Sequence, residues 1–325
     1  MMTPSSFSSE KYPLLRITPE EFSACEEEYR HCALCPRRCG VDRAAGQIGF
    51  CGCSAAVQAA RAALHPWEEP CLTGAHGAGT VFFSGCTLRC LYCQNADIAA
   101  ARTAWPVTPL RLAEIFLELQ EKGAACIDLV TPTHFAPTIR LALRAAKRAG
   151  LTLPVVSNTS GYETAEAVRA WEGLIDIWMP DLKYVSEKLS GEYSSAPNYF
   201  AEASLALREM VRQTGDPVFS EDGLLLRGVL VRHLLLPRAA ADSRRVLTWL
   251  WEEFGNHILL SFMNQYTPMP AVAGHPVLSR RPSPKTYERL ADYAASLGFE
   301  NGYFQEGEAA KESFIPVWNG EGLHQ

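Results

Sequence analysis

Between residues 76 and 265 the sequence alternates short apolar runs with amphipathic stretches, and this alternation limits the fold more than any other feature. The runs are GTVFFSG, ACIDLVTP, LPVVSNT, IDIWMPDLK, GVLVRHLLLP and HILLSFM. Each has strand length and is largely apolar, as parallel strands buried on both faces are. Helical periodicity fills the interval after each of the first five, at 108–121, 137–149, 163–172, 198–213 and 241–254. Repeated strand–helix units belong to the α/β class with a parallel sheet, expected here as a partial or complete (β/α) barrel of the TIM type. The proline-rich stretch YTPMPAVAGHP then breaks the pattern, before a helix at 283–297 and a short strand in GYFQEG. Three regions result: a cysteine-rich N-terminal module (1–75), the barrel core (76–265) and a C-terminal segment packing on it (266–325).

Acidic residues outnumber basic ones, and the net charge of −6 argues against nucleic acid or a membrane surface as partner. The N-terminal stretch has no apolar run of signal-peptide length, and nothing reaches the roughly 20 apolar residues of a membrane span. The expected setting is the cytoplasm. Eleven cysteines in a reducing compartment point to metal or redox chemistry rather than disulfides, and all but Cys126 precede residue 94.

The loop FFSGCTLRCLYCQN follows the first apolar run and carries Cys86, Cys90 and Cys93. In α/β folds the functional loops follow the strands. Three thiolates on one tight loop, entered through Gly85, reach three corners of a 4Fe-4S cluster. The fourth iron then keeps an open position, as catalytic metal sites do. A zinc knuckle or buried structural cysteines are the alternatives.

Upstream, Cys32, Cys35, Cys39 and Cys51 make a second set, with Cys25 and Cys53 nearby. Four thiols close a zinc site or fully ligate a 4Fe-4S cluster, and the spacing leaves both open. In HPWEEP, Trp67 is expected to pack between this region and the barrel. Glu68 and Glu69 read as solvated linker charges, with a cover over the barrel mouth as the alternative. Cys126 reads as a small core residue.

CALCPRRCGVDRAAGQIGFCGC, HPWEEP, FFSGCTLRCLYCQN, DLVTPTHFAP, VSNTSGYE, WMPDLKY and LVRHLLLP occur in this order. Together they resemble the radical S-adenosylmethionine (radical SAM) proteins related to pyruvate formate-lyase activating enzyme, the PflX-like group. The resemblance implies a barrel of the radical SAM type and an oxidoreductase. Its 4Fe-4S cluster, reduced by a flavodoxin- or ferredoxin-type donor, cleaves S-adenosylmethionine to a 5′-deoxyadenosyl radical for hydrogen abstraction. It implies a protein substrate of glycyl-radical type, with a small molecule or peptide as alternative. A non-catalytic metal-binding scaffold is the rival class. The resemblance also implies cofactor contacts at Asn158, Asp181, Lys183 and Arg232, with Lys183 facing the methionyl carboxylate; for Arg232, a salt bridge inside the barrel is the other reading. Two departures stand out. Thr131–His134 occupies the place of a glycine-rich, Glu-bearing loop, and His134 is either a proton donor or substrate ligand or a loop histidine bonded to backbone. Asn158 stands where activases have an aspartate, which puts a bound cation beside Asp181 in doubt.

Overall fold

The computed structural model describes residues 8–304 and 316–324. The N-terminal part contains helix α1 (Pro19–Glu27), strand β1 (Gln58–His65) and the one-turn α2 (Pro70–Thr73). Strand β2 (Ala78–Phe83) leads through the cysteine loop to α3 (Ala96–Ala99), β3 (Trp105–Pro106) and α4 (Pro109–Glu121). Next come β4 (Ile127–Val130), α5 (Ala136–Arg148), β5 (Val155–Thr159), α6 (Ala165–Arg169), β6 (Ile177–Pro180), α7 (Glu187–Ser194) and α8 (Tyr199–Thr214). The chain closes with β7 (Val218–Phe219), β8 (Leu225–Leu234), α9 (Ala240–Phe254), β9 (Leu259–Met263), α10 (Pro284–Leu297) and β10 (Gly302–Phe304). Gln305–Gly307 of the expected GYFQEG strand lie outside the described residues.

Local chemistry starts several helices. Thr18 caps α1 with Glu21 in a reciprocal capping box, and Pro19 opens the helix. Thr108 caps α4 ahead of Pro109, Thr164 caps α6, and Ser186 caps α7.

The sheet runs β10-β9-β8-β6-β5-β4-β2-β1-β3. From β2 to β10 every neighbouring pair on this path is parallel, and the strands follow chain order. Strand β1 is antiparallel to β2, β3 continues that edge, and β7 forms a short antiparallel pair with β8. The path is open: among the described residues β10 and β3 do not pair, so the closed barrel is not formed.

The N-terminal region is continuous with this architecture. Leu15, Ile17, Cys25 and Tyr29 share one core cluster with α4 and α5. Strand β1, QAARAALH, carries little signal of its own because alanine has little strand preference; pairing with β2 decides its conformation.

Successive strand residues face opposite ways. Val155, Trp178, Val229 and Leu260 join the outer core beneath the helices, whereas Val156, Ile177, Met179, Leu230 and Leu259 form a separate inner core capped by Cys71 and Leu72. This alternation sets up the site.

Candidate active site

The inner face changes character in steps of two residues. Ala78, Cys126, Val156, Met179, Leu230 and Leu259 are its apolar floor. Two residues further along each chain stand Thr80, Asp128, Asn158, Asp181, Arg232 and Ser261. Another two residues on, Phe82, Val130, Ser160, Lys183, Leu234 and Met263 line a cavity of 530 Å³. The strands thus deliver one apolar, one polar and one cavity-lining level, much as barrel interiors fill in layers.

Arg232 organises the polar level. Its Nε donates to Asp181 Oδ1 at 3.1 Å, its Nη2 to Asn158 Oδ1 at 2.6 Å and its Nη1 to Glu68 Oε1 at 3.4 Å. Asn158 Nδ2 returns a bond to Glu68 Oε2 at 3.2 Å. Lys183 Nζ donates to Asp181 Oδ2 at 2.5 Å. Burial opposes the charge on Asp181, but Lys183 and Arg232 outweigh it and hold the carboxyl below its ordinary range. Burial, then the Glu68 charge, push the Asp128 carboxyl well above its ordinary range, and Thr80 Oγ1 lies 3.2 Å from its Oδ2. Burial also raises Glu69, which accepts from Ser261 Oγ at 2.8 Å.

These contacts correct the reading of HPWEEP. Glu68 and Glu69 are not solvated linker charges: they reach inward to Arg232, Asn158 and Ser261. Trp67 is 62% exposed at the cavity rather than packed between two units. Arg232 is in a salt bridge and also lines the cavity, so its two readings coincide. Its guanidinium bridges Asp181 and Asn158, placing a fixed positive charge beside Asp181.

Cys86, Cys90 and Cys93 line the same cavity as Asn158, Asp181, Lys183 and Arg232. Gly85 enters the loop at φ +91°, a conformation that favours glycine. The Leu88 N–H points at Cys86 Sγ at 3.4 Å, and Ser194 Oγ lies 3.0 Å from Cys90 Sγ. Tyr184 holds Ser194 at 2.8 Å and meets the Tyr92 hydroxyl at 2.6 Å, so the aromatic before Cys93 braces the loop. Burial pushes the Cys86 thiol up to about 11 and that of Cys93 to about 12, so a metal must displace their protons on binding. A 4Fe-4S cluster fits this donor set. The loop would supply three soft ligands, with hydrogen bonds at the Cys86 and Cys90 sulfurs, and among the described residues no fourth cysteine lines the cavity, so a cluster held there would keep one position open for a ligand.

His134 is not at the cavity. Its Nε2 meets the Ser84 carbonyl at 2.8 Å, and burial lowers its pKa to about 3, which leaves a neutral histidine bonded to backbone. Thr133 turns away to Glu163, and only Thr131, at φ +60°, reaches the cavity from this loop. Cys32, Cys35 and Cys51 are buried and Cys39 is exposed; none of the four lines the cavity. Among the described residues no helix is long and apolar enough to cross a membrane.

Several known proteins are similar to this chain. A family model described as the Radical SAM superfamily matches residues 80–223, from β2 to just before β8. The uncharacterized protein MJ0674 of Methanocaldococcus jannaschii is 25% identical over 274 residues, covering 81% of this chain and 72% of that protein. Among solved structures, Streptococcus suis SuiB bound to its precursor peptide SuiA is similar at 13% identity with a TM-score of 0.46. That match covers 68% of this chain and 46% of SuiB. SuiB bound to S-adenosylmethionine matches at 13% identity and TM-score 0.44, over 68% of this chain and 48% of SuiB. The chain thus spans about half the length of the solved structure it matches. Residues 80–223, with the cysteine loop at the mouth of the parallel sheet, are a radical SAM superfamily domain.

Proposed function

We propose that this chain is a radical SAM enzyme whose Cys86, Cys90 and Cys93 hold a 4Fe-4S cluster and whose cavity binds S-adenosylmethionine at the open iron. Bound there, cluster and cofactor supply reductive cleavage to a 5′-deoxyadenosyl radical, which takes a hydrogen atom from the substrate. The observation that carries this reading is the meeting of the three sulfurs with Lys183, Asp181 and Arg232 in one cavity. Lys183 offers its ammonium to the methionyl carboxylate, a charge-assisted bond. Asp181 aims that ammonium, and Arg232, itself held by Asn158 and Glu68, fixes Asp181. Trp67, Tyr266 and Met269 line the same space and limit water.

For the substrate, the motifs shared with activases favour a protein partner of glycyl-radical type. The second reading, a small molecule or peptide, is favoured by the walls that the N-terminal and C-terminal regions contribute through Glu68 and Pro316. The electron donor is of flavodoxin or ferredoxin type, in a cytoplasmic setting that keeps thiols reduced. The test incubates reduced enzyme and S-adenosylmethionine with each glycyl-radical enzyme of the host genome. A glycyl-radical doublet in electron paramagnetic resonance supports the first reading. Cofactor cleavage with every such partner silent moves the assignment to the second. No cofactor cleavage contradicts both.

A further inference from the structure

The second cysteine set lies behind the cavity loop, and a redox role for it rests on the radical SAM reading of that loop. Cys32, Cys35 and Cys39 occupy a turn closed by bonds from Gly40 N–H to Cys32 O and from Arg38 N–H to Cys35 O, both 3.0 Å. Cys51 sits on a second turn, where Gly49 N–H meets Cys53 O at 3.2 Å. Gly49 fills the gap between the turns. A Cβ built on it would lie 3.3 Å from Cys39 Sγ, 3.5 Å from Cys51 Sγ and 3.7 Å from Arg43 Cδ. Arg43 Nη1 in turn lies 3.8 Å from Cys32 Sγ. Cys39 and Cys51 Sγ therefore flank Gly49, Cys32 Sγ lies against the Arg43 side chain that also meets Gly49, and buried Cys35 shares the turn of Cys32.

Arg43 gives this region a charge requirement. It is 1% exposed. Its guanidinium donates to the carbonyls of Cys53 at 3.1 Å, Ser54 at 2.7 Å and His134 at 2.5 Å, and it stands 4.9 Å over the Tyr29 ring. These carbonyls and the Cys32 sulfur are its hydrogen-bonding partners, and none is a carboxylate. A buried cation without an anion is destabilising. The thiols are the adjoining groups able to become anions, and as ligands they are thiolates. Zinc has no redox chemistry, whereas an iron–sulfur cluster takes up and passes on one electron, which is what a site joined to the cavity loop can use.

The region touches both the cavity loop and the surface. Cys51 O accepts from Cys86 N–H at 3.2 Å, so one hydrogen bond joins a residue of each cysteine set. On the outer side Cys39 is exposed beside exposed Arg38. Arg37 and Arg89 stack on the ring of Phe50 at 3.9 and 4.6 Å. Arg37, Arg38 and Arg89 thus bring three positive charges to the region of this turn, on a chain whose net charge is −6.

We propose that Cys32, Cys35, Cys39 and Cys51 hold a second 4Fe-4S cluster, which takes electrons from an acidic one-electron carrier at the Cys39 surface and passes them to the cluster on Cys86, Cys90 and Cys93. One electron leaves the reduced carrier, lowers the second cluster by one charge and moves on, with no bond or proton transferred. The arginines complement the carrier's surface.

The experiment has two arms. Anaerobically reconstituted Cys86→Ala/Cys90→Ala/Cys93→Ala protein is expected to keep about four irons per chain. It should also give a cluster signal in electron paramagnetic resonance once reduced flavodoxin is added. One zinc, no metal, or iron that flavodoxin cannot reduce overturns the proposal. In the intact chain, cofactor cleavage is driven in parallel by dithionite and by reduced flavodoxin. Cys39→Ala, and the surface variant Arg38→Glu if the former does not fold, are expected to lower the flavodoxin-to-dithionite rate ratio. An unchanged ratio overturns the relay. Failure of the wild type to cleave with dithionite sinks the reading of the Cys86 site instead, and the first arm still decides the second cluster.

Discussion

Arg232 donates to the side-chain oxygen of Asn158 at 2.6 Å across 74 residues of sequence. The same guanidinium holds Asp181 and Glu68, so one cation ties β5, β6, β8 and the HPWEEP segment together inside the cavity. Arg232→Gln leaves half-buried Asp181 with Lys183 as its cation and half-buried Glu68 with the neutral Asn158 amide. The expected loss is roughly 3–5 kcal/mol, the range for breaking a buried ion pair. Arg232→Lys keeps the charge but cannot bridge three partners and should recover only part of it. Anaerobic urea denaturation measures both, and a wild-type midpoint for Arg232→Gln contradicts the role given to this network.

Lys183 is the cavity's ammonium. Lys183→Ala should leave the iron content unchanged and weaken S-adenosylmethionine binding by about tenfold or more, from a lost charge-assisted bond of roughly 1.5–3 kcal/mol. Calorimetric titration of the reconstituted protein reads this directly. Equal affinity in the variant removes Lys183 from the cofactor site.

Glu163 is buried beneath the Thr131–His134 loop, 3% exposed, and accepts from Thr133. Burial raises its pKa from 4.5 to about 7, against the opposing bonds from Thr133 and Thr159. Between these two values the folded chain binds more protons than the unfolded one. Stability therefore falls as pH rises from about 4.5 to about 7, by roughly 3 kcal/mol, and then levels off. Glu163→Gln should remove this slope and be the more stable form at pH 7. Parallel pH profiles with the same slope in both proteins contradict the assignment.

Gly85 is pressed between the two cysteine regions. A Cβ there would lie 2.5 Å from Cys53 Sγ, 2.9 Å from Cys51 O and 2.9 Å from His134 Nε2, on a backbone at φ +91°. Gly85→Ala should destabilise the chain by about 1–3 kcal/mol and disturb the loop. Wild-type stability and iron content in this variant would show that the loop yields more easily than its packing suggests.

The strand–helix alternation was readable because buried parallel strands and amphipathic helices leave different periods in a sequence. All six apolar runs form strands, and the five expected intervening helices are present, α6 being shorter than its pattern. The cysteine loop was readable from spacing and from its place after β2. The polar level was only half readable. Asn158, Asp181 and Arg232 stood out through motif resemblance, but Thr80, Asp128 and Ser261 did not. Their signal lay in the two-residue step from apolar floor to polar ring, visible only once the inner face is known. Glu68 and Glu69 were misjudged because charges in a proline-flanked linker usually face water; here α2 and β1 turn that linker over the cavity. Strand β1 is hidden in alanines, and its pairing with β2 and β3 fixes it more than its own residues do.

If Cys86, Cys90 and Cys93 form a cluster site that activates S-adenosylmethionine, the chain makes 5′-deoxyadenosine. The direct measurement is 5′-deoxyadenosine formed by the anaerobically reconstituted, dithionite-reduced chain, beside its iron content. The expected outcome is 5′-deoxyadenosine from the wild type, none from the Cys86→Ala/Cys90→Ala/Cys93→Ala variant, and a loss of about four irons between them. Wild-type protein that takes up no iron and forms no 5′-deoxyadenosine would contradict the assignment of this site.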